Sequence, residues 1–493
     1  MISNLADKIK ENRIKNAFYI QKVFYTYASL EERALSVAAY LSVHNVGKSP
    51  VGIIGYDAFE TYAAIIGTIL AGTPFVPIHP SNPKERNASI IEQAEIQMVL
   101  CATPENNVGN LVNTNLVKVI LVSEIASELN PPIAAIKPNE VAYILFTSGS
   151  TGVPKGVPIS YGNLSAFLDS FFSMGYEIDS TDRFLQMFDI TFDLSIMSYL
   201  APLLRGACVY TVPFNAVKYM YIYELLEEQK LTFTLMVPSI LSYLRPYFPE
   251  IELPHLKYSL FCGEALYVDI AKEWKQCLPL AKLQNVYGPT EATIFCLSYD
   301  CLENIKENNG MICIGKPMKN CITLIVDDNH EPTNGKGELC LGGQQVTSGY
   351  IKNEEKNSDS FFYYNNERYY RTGDLTLQDA DGDIMYAGRT DYQVKVMGGF
   401  RVELNEIEHH ARVCTGLAGV AAVAVPNHIG ISQIYLFLEA FDDDDSVVFN
   451  YLRQQMPEYM IPSAIFSIPQ FPLNANGKID RKKLEEMTIQ QQR

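Results

Sequence analysis

The sequence lacks the cysteine and histidine patterns that hold structural metals or disulfide frameworks. Its ten cysteines are scattered along the chain, and none of them forms a C-x-x-C pair. None of the seven histidines stands at zinc-ligand spacing. Scattered cysteines are typical of proteins in a reducing compartment, so the sequence predicts a cytoplasmic protein without a structural metal.

Basic charge is also scarce in this chain. It has 39 lysines and arginines against 56 aspartates and glutamates, which gives a net charge of −17. Nucleic acids and anionic lipid surfaces bind to basic footprints, so neither is expected as the main partner. An anionic ligand would have to be held by a local group of donors.

The chain has no uninterrupted apolar run long enough to cross a membrane. Its most apolar window, YAAIIGTILAGTPFVPIHP from Tyr62, is broken by Gly67, Gly72 and Pro74. This window predicts a helix that ends at Ala71 and a short strand after it. The first residues, MISNLADKIKENRIKN, lack the apolar core and cleavage site of a signal peptide. We therefore expect no membrane insertion.

Short β-rich runs alternate with helix-like stretches over most of the chain, as in VGIIG, FVPI, QMVLC, VKVILV and VAYILFT. This alternation predicts an α/β fold with parallel sheets and helices on both faces. Residues 26–43 predict a helix, with Ser29 as its N-cap. Near residue 380 the pattern changes to turns and short strands. We predict a large core domain over residues 1–390 and a small C-terminal domain over 391–493.

The stretch FTSGSTGVPKGV (146–157) follows the apolar run VAYIL and predicts a strand that ends in a loop. Consecutive backbone N–H groups in such a loop form a concave anion site. The hydroxyls of Thr147, Ser148, Ser150 and Thr151 add donors, and Lys155 adds a positive charge. The pattern predicts a phosphate-binding loop, with a plain tight turn as the alternative.

Four further motifs follow this loop: NVYGPTEAT (285–293), YRTGD (370–374), GRTDYQVKV (388–396) and NANGKIDR (474–481). With these five motifs in this order, the chain resembles the adenylate-forming superfamily of acyl-CoA synthetases, luciferases and amino-acid-adenylating domains. The resemblance implies layered parallel sheets with helices, a small distorted barrel and a mobile C-terminal α+β domain that acts as a lid. It also implies a reaction in which a carboxylate joins the α-phosphate of ATP, pyrophosphate leaves, and a thiol accepts the acyl group.

The resemblance further implies roles for single residues, each of which would otherwise be an ordinary turn or loop residue. Thr290 would contact the α-phosphate, Glu291 would hold Mg²⁺, and Lys478 would bridge the reacting groups during adenylation. Asp391 would be the hinge of the small domain. The implied nucleotide-binding residues are Thr147, Ser148, Gly149, Ser150, Thr151, Gly152, Lys155, Asn285, Tyr287, Asp374 and Arg389.

The resemblance also addresses the acid substrate. In amino-acid-adenylating members, the aspartate that matches Asp193 of DITFDLSIM pairs with the α-ammonium group, and acyl-CoA synthetases lack it. The implied side-chain pocket is apolar, which disfavours a charged substrate. It consists of Leu194, Met197, Leu235, Leu260, Cys262, Val286, Ile294 and Phe295.

Three stretches, FDLSIM, LFCGEAL and ELNEIEHH, look most like D-alanine:D-alanyl carrier protein ligases. Phe295 stands where a small residue is expected in that group. We therefore predict a stand-alone ligase for an apolar amino acid of the alanine, proline or valine type, as in nonribosomal peptide synthesis, with the enantiomer left open. The alternative is an acyl-CoA synthetase that uses a carboxylic acid and free coenzyme A. A catalytically dead binding protein is disfavoured because Lys478, Glu291 and Asp374 are all present.

The sequence carries no carrier segment after NANGKIDR, so we expect the thiol on the phosphopantetheine arm of a separate carrier protein. The stretch VMGGFR after Lys395 is one residue longer than the family pattern, and we expect it to lengthen the loop that faces this thiol. Glu406, His409 and His410 of EIEHH are interpreted as structural, because adjacent histidines point to different faces of a helix.

Overall fold

Two sheets form the centre of the N-terminal domain in the computed structural model, which describes residues 2–45, 47–102, 108–128, 133–149, 153–391, 393–396, 398–473 and 479–491. The strands of the first sheet are β3 (Val51–Ile54), β4 (Phe75–Ile78), β5 (Met98–Cys101), β6 (Lys118–Leu121), β7 (Val141–Thr147) and β8 (Lys155–Ser160). Their order is β6-β5-β3-β4-β7-β8. All neighbours are parallel except β7 and β8.

The second sheet has nine strands. In order from one edge of the sheet to the other, they are β17 (Lys316–Pro317), β14 (Leu297–Asp300), β13 (Lys282–Tyr287), β12 (Tyr258–Phe261), β11 (Phe233–Met236), β9 (Arg183–Gln186), β10 (Cys208–Thr211), β1 (Asn16–Ile20) and β2 (Val23–Thr26). The central strands are parallel, and the pairs toward both edges are antiparallel. This confirms the predicted parallel sheets. A separate hairpin joins β15 (Glu307–Asn308) to β16 (Met311–Ile312).

Helices cover these sheets, and one of them is almost completely enclosed. The helices of this domain are α1 (Leu5–Glu11), α2 (Tyr27–His44), α3 (Phe59–Leu70), α4 (Lys84–Gln93), α5 (Val108–Leu111), α6 (Tyr161–Phe172), α7 (Asp193–Leu203), α8 (Lys218–Glu228), α9 (Ser239–Leu244), α10 (Val268–Gln276) and α11 (Glu354–Ser360). Every residue of α3 except Glu60 is buried, because α3 packs against both sheets. Its Tyr62 ring stacks 4.7 Å from Phe18 of β1 and lies 5.7 Å from Tyr199 of α7. This burial accounts for the most apolar window of the sequence.

The end of α3 confirms the prediction made from its glycine. The helix stops at Leu70 with Ala71 as its C-cap, and Gly72 follows with a φ of +61°. Glycine reaches this left-handed conformation at no steric cost. The strand β4 then begins at Phe75. Among the described residues, no helix combines the length and the apolar character that a membrane crossing requires.

A third sheet is antiparallel and lies late in the large domain, between residues 321 and 389. Its strands are β18 (Cys321–Val326), β19 (Gly337–Gly343), β20 (Phe361–Tyr364), β21 (Glu367–Gln378) and β22 (Ile384–Arg389). The strand order is β18-β19-β21-β20, and β22 pairs with β21. In this pairing Asp374 stands directly opposite Arg389.

A smaller C-terminal α+β domain completes the fold. It contains β23 (Gln393–Val396), β24 (Phe400–Glu403), α12 (Leu404–Thr415), β25 (Val420–Pro426), β26 (Ser432–Glu439), α13 (Asp445–Gln455), β27 (Ala464–Ile468) and α14 (Arg481–Gln491). Two hydrophobic clusters consist only of residues between Val394 and Met487, so this domain has an apolar core of its own.

The helix predicted over residues 26–43 is α2, but the prediction of Ser29 as its cap was wrong. The N-cap is Thr26, whose side chain accepts a hydrogen bond from the Ser29 backbone N–H at 3.1 Å. Both residues carry a hydroxyl, and the sequence pattern alone does not distinguish them. The helix begins at Tyr27 because Thr26 has the extended backbone of a cap residue, with φ −78° and ψ 162°.

We predict that Thr26→Ala lowers the free energy of unfolding of the large domain by about 1 kcal/mol, because a helix N–H loses its acceptor. Ser29→Ala is the matched control and should cost clearly less. Urea unfolding followed by the fluorescence of Trp274, the single tryptophan, measures both changes. An equal or larger loss in Ser29→Ala would show that the cap is assigned to the wrong residue.

Candidate active site

The predicted phosphate loop lies between β7 and the antiparallel strand β8, where Thr147 pairs with Lys155. Thr147, Ser148, Gly149 and Lys155 are described, whereas the predicted residues Ser150, Thr151 and Gly152 lie outside the described residues. Gly149 is required by packing, since a Cβ there would stand 2.0 Å from the Val153 carbonyl oxygen. The loop therefore brings a buried lysine and a backbone N–H to the same place.

Lys155 is buried beside charged groups of both domains. Its Nζ lies 3.3 Å from Glu403 Oε1 and 5.6 Å from the centre of the Tyr350 ring. Burial lowers the pKa of this amine, the nearby Arg401 lowers it further, and the carboxylates of Glu403 and Glu291 oppose the shift. An anion that replaced Glu403 would meet an already desolvated cation.

Glu291 is completely buried and both of its carboxylate oxygens are occupied. Oε1 accepts a hydrogen bond from the Tyr350 hydroxyl at 2.7 Å, and Oε2 accepts one from Arg401 Nη1 at 2.9 Å. Burial alone would raise the pKa of Glu291, but Arg401, Tyr350 and Lys155 together hold it at about 2. A carboxylate is the hard oxygen ligand that Mg²⁺ prefers, and it fits the implied role once Arg401 withdraws.

Asp374 also has both oxygens occupied in this structure. The Tyr287 hydroxyl donates a hydrogen bond to one oxygen, and Arg389 Nη1 donates a hydrogen bond to the other. Arg389 in turn holds Asp391, with Nε 2.6 Å from Oδ1 and Nη2 2.9 Å from Oδ2. Burial raises the pKa of the Asp391 carboxyl, but the Arg389 guanidinium outweighs it and leaves the pKa below its usual range. The implied ribose-binding carboxylate and the implied hinge residue thus share one arginine.

The largest of the cavities at this site has a volume of about 430 Å³ and lies between the two domains. The residues predicted for the nucleotide that line it are Asn285, Tyr287, Asp374 and Arg389, together with the predicted pocket residue Val286. Asn285 is fixed by two hydrogen bonds from its Nδ2, to the Ile312 and Cys313 carbonyl oxygens. The small domain closes the cavity with Val394, Lys395 and Ile431.

Asp193 begins α7 and is buried beside a second, smaller cavity of about 110 Å³. Its Oδ2 has no hydrogen-bond partner among the described residues. Burial raises the pKa of this carboxyl to about 7, although hydrogen bonding from Thr290 lowers it. Thr147, Ser148 and Thr290 line the same cavity, so the carboxylate faces the predicted phosphate loop.

The predicted side-chain pocket is only partly assembled around this cavity. Leu194 and Cys262 line it, and burial raises the pKa of the Cys262 thiol to about 12, which keeps it neutral. Five predicted residues are at most 1% exposed and line neither of these two cavities: Met197, Leu235, Leu260, Ile294 and Phe295. The Phe295 ring packs edge-on against Phe167 at 5.0 Å.

The cause of this packing is the backbone of the turn that carries Phe295. Thr293 and Ile294 both adopt positive φ values, 57° and 74°, which are unusual for β-branched residues. The turn therefore directs Phe295 into the core of the large domain. A hydrogen bond from the Thr293 hydroxyl to the Gln345 carbonyl oxygen, at 2.5 Å, stabilises the turn.

The small domain places charges at this site that the sequence did not reveal. Glu406 Oε2 accepts a hydrogen bond from the Gly149 N–H at 2.9 Å, and its Oε1 lies 2.9 Å from Arg86 Nη1 of α4. Ser148 Oγ donates to the Arg401 carbonyl oxygen at 3.0 Å. One feature of the sequence could have indicated these contacts. ELNEIE places acidic residues at the start of a helix, and acidic residues that become buried need partners. The partners lie far away in the chain and could not be assigned.

The two glycines of VMGGFR allow a tight turn where the domains meet. Gly398 and Gly399 have φ values of +87° and +78°, and the Gly399 N–H donates to Glu264 Oε1 at 2.8 Å. A Cβ on Gly399 would lie 2.8 Å from Val237 Cγ1. Gly399 also lines the smaller cavity, so the loop closes the cavity on the side of the small domain.

A third cavity of about 330 Å³ lies on the other side of an aromatic wall. The ring of Phe400 stacks 3.9 Å from Tyr459 and meets Phe192 edge-on at 4.7 Å. Tyr459 lines both the third cavity and the smaller cavity. The polar lining of the third cavity includes the pair of His79 Nε2 and Asp189 Oδ2, 2.8 Å apart.

Two predicted features remain, the lysine of NANGKIDR and the EIEHH stretch. Lys478 lies outside the described residues, as do its neighbours at 474–477. Glu406, His409 and His410 form no metal cluster within the described ranges, where the single candidate group is Asp379, Asp381 and Asp383. The Lys306 ammonium already occupies the centre of that group, 2.6 to 2.7 Å from each carboxylate.

The chain is similar to known proteins over nearly its whole length. The D-alanine–D-alanyl carrier protein ligase of Lactiplantibacillus plantarum is 31% identical over 511 residues, which cover 98% of this chain and 99% of the relative. The ligase of the same name from Bacillus velezensis is 31% identical over 485 residues, with 94% of each chain covered. The Vibrio cholerae adenylation domain AlmE, solved with glycyl-adenosine-5'-phosphate, superposes with a TM-score of 0.89 at 26% identity and covers 99% of this chain and 97% of its own. A family model described as AMP-binding enzyme matches residues 5–351, and the chain belongs to that family of AMP-binding enzymes.

Proposed function

We propose that this protein is an ATP-dependent, AMP-forming ligase that activates a small apolar amino acid and transfers it to the phosphopantetheine thiol of a separate carrier protein. The observation that carries the proposal is the buried carboxylate of Asp193, whose Oδ2 has no partner among the described residues. This carboxylate shares a cavity with the predicted phosphate loop. A substrate that brings both a cation and a reactive carboxylate fits between them.

The need for an amine follows from the cost of a buried charge. Asp193 is 7% exposed, and an ionised carboxylate at that depth is strongly unfavourable without a cationic partner. An α-ammonium group supplies this partner and leaves the substrate carboxylate free to react. Fatty and aryl acids bring no cation, which argues against the alternative of an acyl-CoA synthetase.

The reacting groups would be held by residues from both domains. The Lys155 ammonium and the Gly149 N–H would bind the outer phosphates of ATP, and Thr290 would contact the α-phosphate. Asp374 would accept the ribose hydroxyls in place of its present donors. Lys478 would neutralise the two anions as the substrate carboxylate attacks the α-phosphorus and pyrophosphate leaves.

Magnesium fits the same arrangement through Glu291, which would hold the ion while the triphosphate is bound. The ion would supply charge neutralisation for the phosphate oxygens. In the present orientation Arg401 lies 2.9 Å from the Glu291 carboxylate, so the small domain has to move before the ion binds. We propose that residues 391–493 move as one lid about Asp391.

The size of the substrate follows from the smaller cavity. Its volume of about 110 Å³ is a fraction of the 430 Å³ of the nucleotide cavity, and Leu194 and Cys262 form its apolar wall. We propose alanine in preference to proline and valine, and the D enantiomer, as in the names of the D-alanine ligases it resembles. Glycine is the second candidate, because AlmE was solved with a glycyl-adenylate. The scattered cysteines without paired motifs support a cytoplasmic location.

A panel of acids in ATP–pyrophosphate exchange tests the proposed substrate. We expect D-alanine to give the highest kcat/KM, with L-alanine, glycine, proline and valine lower. One methylene is worth about 1–3 kcal/mol in such a pocket, so valine should be at least about tenfold weaker. Exchange with fatty or aryl acids but with no amino acid would contradict the proposal and favour the acyl-CoA synthetase.

Asp193→Asn should reduce amino-acid activation about a hundredfold or more, because the ammonium group loses its buried partner at a cost of about 3 kcal/mol. ATP binding should be retained. Ser195→Ala is the matched control, since the Ser195 hydroxyl lies on the same helix and bonds to the Phe192 carbonyl oxygen. Unchanged amino-acid turnover in Asp193→Asn would contradict the assignment.

The same carboxylate predicts a pH dependence. The pKa of Asp193 lies near 7 in the ligand-free site, so the carboxyl is ionised above this pH and neutral below it. Only the ionised form attracts the ammonium group, and kcat/KM for the amino acid should fall about tenfold per pH unit below pH 7. Asp193→Asn should lack this acidic limb, and a fall of equal size in the variant would assign it to another group.

The third cavity gives the thiol a route to the adenylate. We propose that the phosphopantetheine arm enters there and reaches the smaller cavity when the rings of Phe192, Phe400 and Tyr459 separate. The cavity is lined by both domains, and Tyr459 contacts both cavities. Gly399 of VMGGFR lines the smaller cavity at the end of this route, which fits the expected position of the loop facing the thiol.

Ser81→Trp tests the route, because Ser81 Oγ lies 3.2 Å from the Tyr56 hydroxyl and both residues line the third cavity. We expect the indole to slow acyl transfer to the carrier about tenfold or more while ATP–pyrophosphate exchange stays at the wild-type rate. Radiolabelled D-alanine on a holo-carrier measures the first rate. Equal effects on both half-reactions, or no effect on either, would exclude this route.

A further inference from the structure

The charges that the small domain brings to the phosphate site have a definite pattern. Two carboxylates, Glu403 and Glu406, meet two of the described donors of the phosphate loop, Lys155 Nζ and the Gly149 N–H. One cation, Arg401, meets the Glu291 carboxylate. Anions on the phosphate donors and a cation on the metal-binding carboxylate are also the charges that magnesium pyrophosphate would present.

All three contacts come from one short segment. Arg401 and Glu403 belong to β24, and Glu406 lies in the first turn of α12. The side chain of Glu406 is fully buried and that of Glu403 is 11% exposed, so neither is a solvated surface charge. The segment therefore docks as a unit, and its docking depends on the loop donors being unoccupied.

The contact at Gly149 uses a backbone N–H, which is a single donor. Glu406 Oε2 takes the Gly149 N–H at 2.9 Å, and a phosphate oxygen at that N–H would have to occupy the same position. Lys155 is similarly enclosed by Glu403, Tyr350 and the neighbouring strand. Withdrawal of the segment without a replacement ligand would leave buried charges unpaired, which is strongly unfavourable.

We propose that Glu403 and Glu406 are positioning residues that imitate pyrophosphate: the small domain docks in this orientation only after pyrophosphate has left, and pyrophosphate displaces it. The inference rests on the proposed function, because it assumes that Lys155 and Gly149 bind the outer phosphates. In the docked orientation pyrophosphate cannot bind and attack the adenylate, so the first half-reaction cannot run in reverse. The exclusion of pyrophosphate is thus built into the contacts of β24 and α12.

Linkage makes this exclusion reciprocal. If docking prevents pyrophosphate from binding, pyrophosphate must weaken docking by the same factor. Removal of the imitating carboxylates should therefore favour pyrophosphate, and removal of a remote carboxylate from the same domain should not. Glu486 is exposed on α14 and offers this comparison.

Hydrogen exchange measures docking without catalysis. The protein is saturated with an inert alanyl-sulfamoyl-adenosine, which cannot react with pyrophosphate, and magnesium pyrophosphate is then titrated. We expect the Gly399 N–H, which bonds to Glu264 when the loop is docked, to exchange about tenfold faster or more. The β25–β26 pair inside the small domain should keep its protection, and sulfate at equal ionic strength should have no effect.

The variants decide whether the two glutamates are responsible. Glu403→Gln and Glu406→Gln, made separately, should each lower the pyrophosphate concentration at half effect about tenfold or more, and Glu486→Gln should leave it unchanged. Unchanged protection of Gly399 at saturating pyrophosphate would overturn the inference, as would equal shifts in all three variants.

Calorimetry separates this result from a failure of the proposed function. Wild-type protein should bind magnesium pyrophosphate, and Lys155→Ala should bind it at least about tenfold more weakly. If pyrophosphate binds through Lys155 but leaves Gly399 protected, the phosphate site stands and the imitation is wrong. If pyrophosphate does not bind to the wild type, both are wrong.

Discussion

The structure depends on the pairing of buried charges between its two domains. Glu291 is completely buried, and the guanidinium of Arg401 outweighs the cost of that burial and holds the pKa of its carboxyl at about 2. Arg86 meets Glu406 at a depth where both side chains are at most 5% exposed. Such pairs add little to the free energy of folding when compared with apolar packing, but removal of one partner destabilises the protein strongly because it leaves a buried charge unpaired. The domains are therefore held in one orientation by contacts that any change of orientation must replace.

Asp193 shows the same constraint from the side of the substrate. Its carboxylate is buried as deeply as the paired groups, yet Oδ2 has no partner among the described residues, and burial raises its pKa to about 7. A group in this state is typical of a site that waits for a ligand of opposite charge. In the proposed mechanism the two reactants therefore bind differently. The nucleotide displaces partners that the protein supplies, whereas the amino acid provides a partner that the protein lacks.

The sequence predicted those features that depend on local pattern. It placed the end of α3 at Ala71 and a loop directly after the strand β7. It did not predict which residues meet across long distances. The ELNEIE stretch is an acidic segment at the start of a helix, but nothing local indicates that Glu406 reaches Gly149. Phe295 was expected in the pocket because the sequence motif does not reveal the positive φ values of Thr293 and Ile294. The sequence prediction chose Ser29 as the cap in place of Thr26 for a similar reason, since both residues carry the hydroxyl that caps need.

The central claim is that one set of buried donors serves the nucleotide and the small domain in turn. Its most direct test is a crystal structure of the protein with a non-hydrolysable ATP analogue and magnesium. The account predicts that Lys155 Nζ and the Gly149 N–H contact the outer phosphates, that Glu403 and Glu406 have withdrawn, and that Lys478 faces the α-phosphate. A bound nucleotide with Glu403 still on Lys155 and Glu406 still on Gly149 would contradict it.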